Sequence, residues 1–264
     1  MAEAAPVLAE SGPLVRRTQL DQPWSWLAAG WRDMRRSPGV SYTYGVLAAV
    51  TGYLLTLGLW FSGQVYLILP LVSAFLIAGP ILAVGLYEAS RRNETGQHTS
   101  LAEALGAFRR NASQIGLMGV VLLVLALLWM RLAGVVFMLY WGLEPPSYDN
   151  LIAATFLTPD ALPFLVAGTL IGGVLALLAF SISVVAIPLL LDDQEANVID
   201  AIATSIRAVQ ANPGPLLFWA LLILVFVAAG LATLYLGLIV ALPLVGHASW
   251  HAYRDLVSPR HINL

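Results

Sequence analysis

Residues 37–87 read SPGVSYTYGVLAAVTGYLLTLGLWFSGQVYLILPLVSAFLIAGPILAVGLY, a stretch without one Asp, Glu, Lys or Arg. A helix needs about 20 predominantly apolar residues to cross a bilayer. The stretch therefore holds two spans, joined by a tight turn near Ser62–Gly63–Gln64. Uncharged runs also cover 111–130, 161–191 and 208–253. These give a third span, a fourth, and a last hairpin turning between Gly230 and Gly237. The expected fold is an all-α membrane protein of six transmembrane helices.

Composition agrees. Of 264 residues, 59% are hydrophobic and 11% are charged. A soluble domain carries roughly a quarter charged residues, so this chain could not cover a water-facing surface. With no cysteine, disulfides, thiolate metal sites and thiol nucleophiles are excluded. Residues 1–22 contain no apolar core of a signal peptide. They read as a disordered cytoplasmic tail, with 259–264 as a second tail and 23–258 as one membrane domain.

All thirteen basic residues are arginines. Arg16, Arg17, Arg32, Arg35 and Arg36 precede the first span; Arg91, Arg92, Arg109 and Arg110 lie between the second and third. Arg207 precedes the fifth, while Arg254 and Arg260 follow the sixth. The opposite side carries no arginine in its loops, and its one long loop is acidic (Glu144, Asp149, Asp160). The positive-inside rule then places both termini in the cytoplasm of a bacterial inner membrane.

The chain also repeats. Ser37–Pro38–Gly39, Asn111–Ala112–Ser113 and Asn212–Pro213–Gly214 each look like an N-cap followed by the first residue of a helix. Before each lies an apolar pattern at helical spacing: Trp24, Leu27, Trp31, Met34; then Leu101, Leu105, Phe108; then Ile199, Ile202, Ile206, Val209. Pro80, Pro188 and Pro243 mark the returning helices as kinked near the cytoplasm. After Pro80 and Pro243 come an aromatic (Tyr87, Trp250), an ionisable residue (Glu88, His251) and an arginine (Arg91, Arg254) at matching offsets. The expected architecture is three parallel hairpins, each preceded by a cytoplasmic amphipathic helix, over 23–92, 98–193 and 197–256. The third is short. The second is interrupted outside the membrane by Pro145–Pro146 and Thr158–Pro159–Asp160, with a short interfacial helix over 151–157.

Few side chains carry chemistry. His247 and His251 stand four apart on one helical face and are the candidate ligands for haem or a metal, set against a plain interfacial pair. Arg131, the one charge within its apolar stretch, is expected to pair with Glu144, Asp149 or Asp160. Glu88 and the Asp192–Asp193–Glu195 cluster are read as solvated or arginine-neutralising. Trp24, Trp26, Trp31, Arg32, Arg35, Arg36, Arg109 and Arg110 form a surface for lipid or a partner. Glycines such as Gly79, Gly168, Gly172 and Gly173 are read as sites of close helix packing. No Walker loop, Gly-x-Ser-x-Gly or His-Glu-x-x-His pattern occurs, and no basic nucleic-acid patch. No enzymatic activity and no resident cofactor are expected.

The segments Trp24-Ser-Trp-Leu-Ala-Ala-Gly-Trp-Arg-Asp33, Pro38-Gly39, Gly79-Pro80, Gly85-Leu-Tyr-Glu88, Asn212-Pro-Gly-Pro215 and Gly246-His-Ala-Ser-Trp-His-Ala-Tyr-Arg-Asp255 resemble a bacterial six-span family, domain of unknown function 2189. The resemblance covers nearly everything after residue 20 and implies no defined activity. Some members carry the label of a cytochrome c oxidase subunit. A haem–copper core needs several histidines spread over several helices, and this chain has two in or near a span, so the label implies a non-catalytic subunit of a respiratory complex. The leading expectation is a structural, accessory or assembly protein. A small transporter or channel, and a haem protein using His247 or His251, are the alternatives.

Overall fold

The computed structural model describes residues 13–142 and 161–258. Among them are eleven α-helices and one isolated β-bridge, Val15 with Val257. In chain order the helices are α1 (Gln22–Arg36), α2 (Pro38–Phe61), α3 (Ile68–Leu82), α4 (Val84–Glu94), α5 (Leu101–Gly106), α6 (Ala112–Trp141), α7 (Ala161–Ser183), α8 (Ala186–Asp192), α9 (Val198–Ala211), α10 (Pro213–Ala232) and α11 (Leu238–Leu256). The interfacial helix expected over 151–157, and Glu144, Asp149 and Asp160, lie outside the described residues.

Five stretches are long and apolar enough to cross a membrane: Pro38–Phe61, Val65–Glu94, Leu101–Trp141, Ala161–Asp192 and Pro213–Ala232. The chain is thus an α-helical, multi-pass membrane protein. The helix α11 is 19 residues long, but its second half carries His247, His251, Arg254 and Asp255, which lower its hydropathy.

Three elbows share one backbone conformation. Ser37 (φ −121°, ψ 55°), Asn111 (φ −148°, ψ 59°) and Asn212 (φ −134°, ψ 53°) each break the chain between a surface helix and a long apolar one. None of the three side chains caps its helix, contrary to expectation. Proline at the first helical position already removes one orphan N–H at Ser37 and Asn212. The side chains reach outward instead. Ser37 Oγ donates to Asn93 Oδ1 (3.2 Å) and Asn111 Nδ2 to the Ala196 carbonyl (3.0 Å). Asn212 Nδ2 donates to the Arg16 carbonyl (2.9 Å), and its Oδ1 accepts the Thr18 N–H (2.7 Å).

Residues 13–18, expected to be part of a disordered tail, are therefore held in place. The Arg16 N–H donates to the Leu256 carbonyl (2.8 Å) and the Ser258 N–H to the Leu14 carbonyl (3.0 Å). The two ends of the domain meet on one side.

The core lies at that same end. The helices α4, α8 and the second half of α11 pack on one another, ringed by α1, α5 and α9. Leu86, Ala89, Ile187, Leu190, Leu191, Ala248, Trp250 and Leu256 are fully buried there. The apolar stripes of the ring helices face largely outward: Trp24, Trp31, Leu105 and Ile199 are exposed. Beside Trp26, Leu27 and Met34, their buried sides carry small or polar residues, including Gly30 and Asp33 on α1 and Ala201, Thr204, Ser205 and Ala208 on α9. An apolar stripe turned away from the protein suits a helix lying in the headgroup region with its greasy side against lipid.

Chain breaks accompany two of the three prolines. α3 gives way to α4 at Ala83, three residues past Pro80, and α7 to α8 at Val184–Val185, three before Pro188. Pro243 lies inside α11, which runs on unbroken.

Gly30 sets how closely α1 approaches α11. A Cβ there would stand 2.7 Å from the Ala248 nitrogen and 2.9 Å from the Leu244 carbonyl oxygen, both backbone atoms that cannot give way. Gly30→Val should lower the apparent melting midpoint in detergent by an amount equivalent to about 1–3 kcal/mol. Gly39→Ala, where a Cβ meets nothing within 4 Å, should leave it within about 0.5 kcal/mol or raise it. Equal effects of the two would contradict the packing.

Candidate functional site

His247 is fully buried, and four elements converge on it and on its neighbour one turn along α11. Its Nε2 lies 2.9 Å from Ser41 Oγ on α2, and its Nδ1 lies 2.8 Å from Ser90 Oγ on α4. Ser41 Oγ in turn donates to the Ser37 carbonyl (2.8 Å). With its proton so committed, Ser41 offers His247 a lone pair. That places a proton on Nε2, while the direction of the Nδ1–Ser90 contact depends on whether the Ser90 hydroxyl points to His247 or to Asp33. A haem iron or metal at His247 would have to displace one of these hydroxyls.

His251 meets Asp33 of α1, with Nε2 2.7 Å from Oδ2. Asp33 is 4% exposed, and Asn93 Nδ2 donates to its Oδ1 (3.2 Å). Burial would raise the Asp33 carboxyl, but hydrogen bonds from His251 and Ser90 and the charges of His251 and His247 outweigh it. The group is held below its ordinary value. The two histidines thus share one face, and that face seats α11 on α1, α2 and α4.

The remaining charges interlock around this cluster. Glu88 is 4% exposed and takes a two-pronged contact from Arg91 (2.8 Å each), with Arg110 at 3.9 Å. Arg254 bridges Glu94 (3.4 Å) and Asp192 (3.3 Å), while Tyr253 donates to Asp192 (2.9 Å) and Trp250 to Glu94 (2.9 Å). Among the described residues no three His, Asp or Glu side chains gather as a metal site.

The surface residues divide. Trp24, Trp31, Arg32, Arg35, Arg36 and Arg109 are exposed, and Trp24 leans edge-on against Phe218 of α10. Trp26 is 1% exposed, its indole N–H donating to Asp255 (2.7 Å). It faces the core, and so stands apart from the surface set in which it was expected. Arg110 also turns inward, to the Leu191 carbonyl (3.1 Å). Arg131 is exposed, and its expected partners Glu144, Asp149 and Asp160 lie outside the described residues.

Residues 68–192 match the family described as Predicted integral membrane protein (DUF2189). Over that segment the chain is similar to this family. The match runs from α3 through α8, a little under half of the chain, and so is narrower than the resemblance read from the motifs. It takes in Gly79-Pro80 and Glu88 but not Asp33, Ser41, His247 or His251. The histidine cluster therefore joins one element from the DUF2189 segment, α4, to three from outside it. No curated protein and no solved structure matches the chain.

Asp33, Ser41, Ser90 and Asn93 were not singled out from the sequence. Asp33 left one trace: it is the only carboxylate in a helix otherwise charged by arginines, three residues past Gly30 on the same side. A carboxyl held below its ordinary 3.8 contributes stability that is fully present above that pH and is lost as pH falls through the lower folded value. Asp33→Asn should therefore melt lower than wild type at pH 7, and the gap should shrink as the pH is taken towards 3. Paired melting curves by tryptophan fluorescence read this directly. A gap independent of pH would contradict the ionised Asp33–His251 contact.

Proposed function

We propose that the chain is a structural, accessory or assembly protein of a bacterial inner membrane, with six spans in three parallel hairpins hung from a rigid cytoplasmic platform. The observation that carries this reading is the division of the charged residues. His251, Asp33, Glu88, Arg91, Asp192 and Arg254 are spent on one another, locking helix ends, while Trp24, Trp31, Arg32, Arg35 and Arg36 stay on the outer surface. Aromatic and arginine side chains side by side suit the headgroup level of an anionic leaflet and the flank of a membrane partner. The label carried by some relatives makes a respiratory oxidase the first partner to test.

Two contacts support six crossings over five. Residues 14–16 are hydrogen-bonded to 256–258, so the number of crossings between them is even. Near the turn of the last hairpin, Tyr235 bonds Thr56 (2.5 Å) and lies edge-on to Tyr53. Thr56 is about 27 Å along α2 from Pro38 at 1.5 Å per residue, close to the thickness of the hydrocarbon core. The α10–α11 hairpin thus has the reach to cross.

The absence of cysteine makes a topology test direct. Single cysteines at Gln19, Gln97 and Glu195 should react with a membrane-impermeant maleimide only from the cytoplasmic side, and those at Ser62 and Leu236 only from the other. Reaction of Leu236→Cys from the same side as Gln19→Cys would overturn the six-span reading. For the partner, a photocrosslinking residue at Trp31 should capture one membrane protein reproducibly, and Arg35→Glu with Arg36→Glu should abolish the capture. A chain that crosslinks to nothing and always purifies alone would overturn the accessory reading.

A further inference from the structure

The membrane half contains a cleft of about 1050 Å³, bounded by α3, α6 and α7 on one side and by α10 and α11 on the other. Among the described residues no charged side chain lines it. Leu177 on α7 and Leu217, Leu221 and Leu224 on α10 line it and are about half exposed, so its mouth opens sideways between those helices. Gly79, Gly168 and Gly173 also line it, and a Cβ at any of them would meet nothing within 4 Å. These glycines leave space, in contrast to the close packing expected of them. Of the other lining glycines, Gly172, under the Trp129 ring, and Gly246, against Leu86, sit at tight contacts.

One end of the cleft holds two unpaired donors. Tyr87 is 3% exposed, and its hydroxyl hydrogen-bonds to no described residue. Trp219 is fully buried in the same wall, its indole N–H without a partner. Ser183 and Ser249, also in the lining, are satisfied by the carbonyls of Ala179 and Val245. A buried donor left unmade costs about 1–3 kcal/mol, so the Trp219 N–H beside the Tyr87 hydroxyl needs an explanation.

We propose that this cleft is a binding site for a lipid with an apolar chain, whose uncharged carbonyl oxygen accepts the Tyr87 hydroxyl. Size and polarity select that class. The volume is at the upper end of the ~300–1,000 Å³ typical of ligand pockets. An ion or a charged headgroup would lose its hydration with no counter-charge to replace it. An apolar void of this size left empty would forfeit the dispersion contacts of its whole lining. Trp219 adds a second N–H dipole at the carbonyl end. The site stands whether or not a partner protein docks on the platform.

The test uses the full chain in phosphatidylcholine nanodiscs with two photoreactive probes. One is a diacylglycerol with a diazirine in an acyl chain; the other is a diazirine hydrocarbon of equal length without a carbonyl. The diacylglycerol should label the facing sides of α6, α7 and α10, saturably and in competition with unlabelled diacylglycerol. Tyr87→Phe should reduce that labelling about fivefold, the loss expected for one hydrogen bond, and leave hydrocarbon labelling unchanged. Gly173→Leu, which fills the cleft without meeting another atom at Cβ, should suppress both. Labelling by both probes that ignores Tyr87→Phe, or that spreads evenly over the outer lipid-facing surfaces, would overturn the proposal. Tyr87→Phe removes a single oxygen and keeps the test decisive should Gly173→Leu fail to fold.

Discussion

Everything in this molecule hangs on the packing of three helix ends, α4, α8 and the second half of α11, into one buried layer. Within lipid, apolar helices gain little by meeting one another, because the tails around them are as apolar as leucine. At the membrane boundary water is near, burial is rewarded again, and polar groups gain strength from a dry surround. The fold concentrates its assembly energy there. Val84, Ala186, Ile187, Ala248 and Trp250 are fully buried, whereas along most of α2 and α6 the side chains face outward. Held at one end, the long helices can stand apart at the other, and a wide cleft is the consequence.

The three elbows show how one piece of backbone is reused with different partners. Ser37, Asn111 and Asn212 turn the chain in the same way, and each sends its side chain to a segment that follows or abuts a returning helix. At the first two elbows that segment lies at or just after the end of α4 or α8. At the third, residues 14–18, paired with Leu256 and Ser258, take the place instead. The short antiparallel contact thus does for Asn212 what those segments do for Ser37 and Asn111.

How much of this was legible in the sequence follows from which signals survive in a membrane. The charge-free runs marked where the long helices lie, because a span must be apolar whatever it packs against. The elbows were visible as Ser-Pro and Asn-Pro, although the use of their side chains was not. The apolar stripes misled about what is inside. Spacing placed Trp24, Leu27, Trp31 and Met34 together, but only Leu27 and Met34 are buried, since the helix is rotated to put Gly30 and Asp33 against α11. In a soluble helix the greasy face finds the core; at a bilayer surface lipid competes for it, and part of the core goes to residues small enough to let backbones meet. The His247–His251 pair was visible, but Ser41, Ser90 and Asp33 were not, because those partners come from three other elements and no local pattern joins them.

Glycine makes the ambiguity concrete, for the same residue does opposite work in the two halves. At Gly30, Gly45 and Gly246 a Cβ would strike Ala248, Ile239 or Leu86, and its absence lets helices touch in or beside the buried layer. At Gly79, Gly168 and Gly173 nothing stands within reach, and its absence keeps a surface recessed. Composition and spacing cannot separate these cases; only the presence or absence of a facing element does. A tight contact needs the glycine for the fold. A recess needs it only if something else is to lie there. Three glycines held open in one cleft, with a tyrosine hydroxyl and an unpaired indole N–H at its end, are hard to explain by folding alone, since larger residues would fill the space and two apolar rings would cost less. Selection for an occupant explains both departures together.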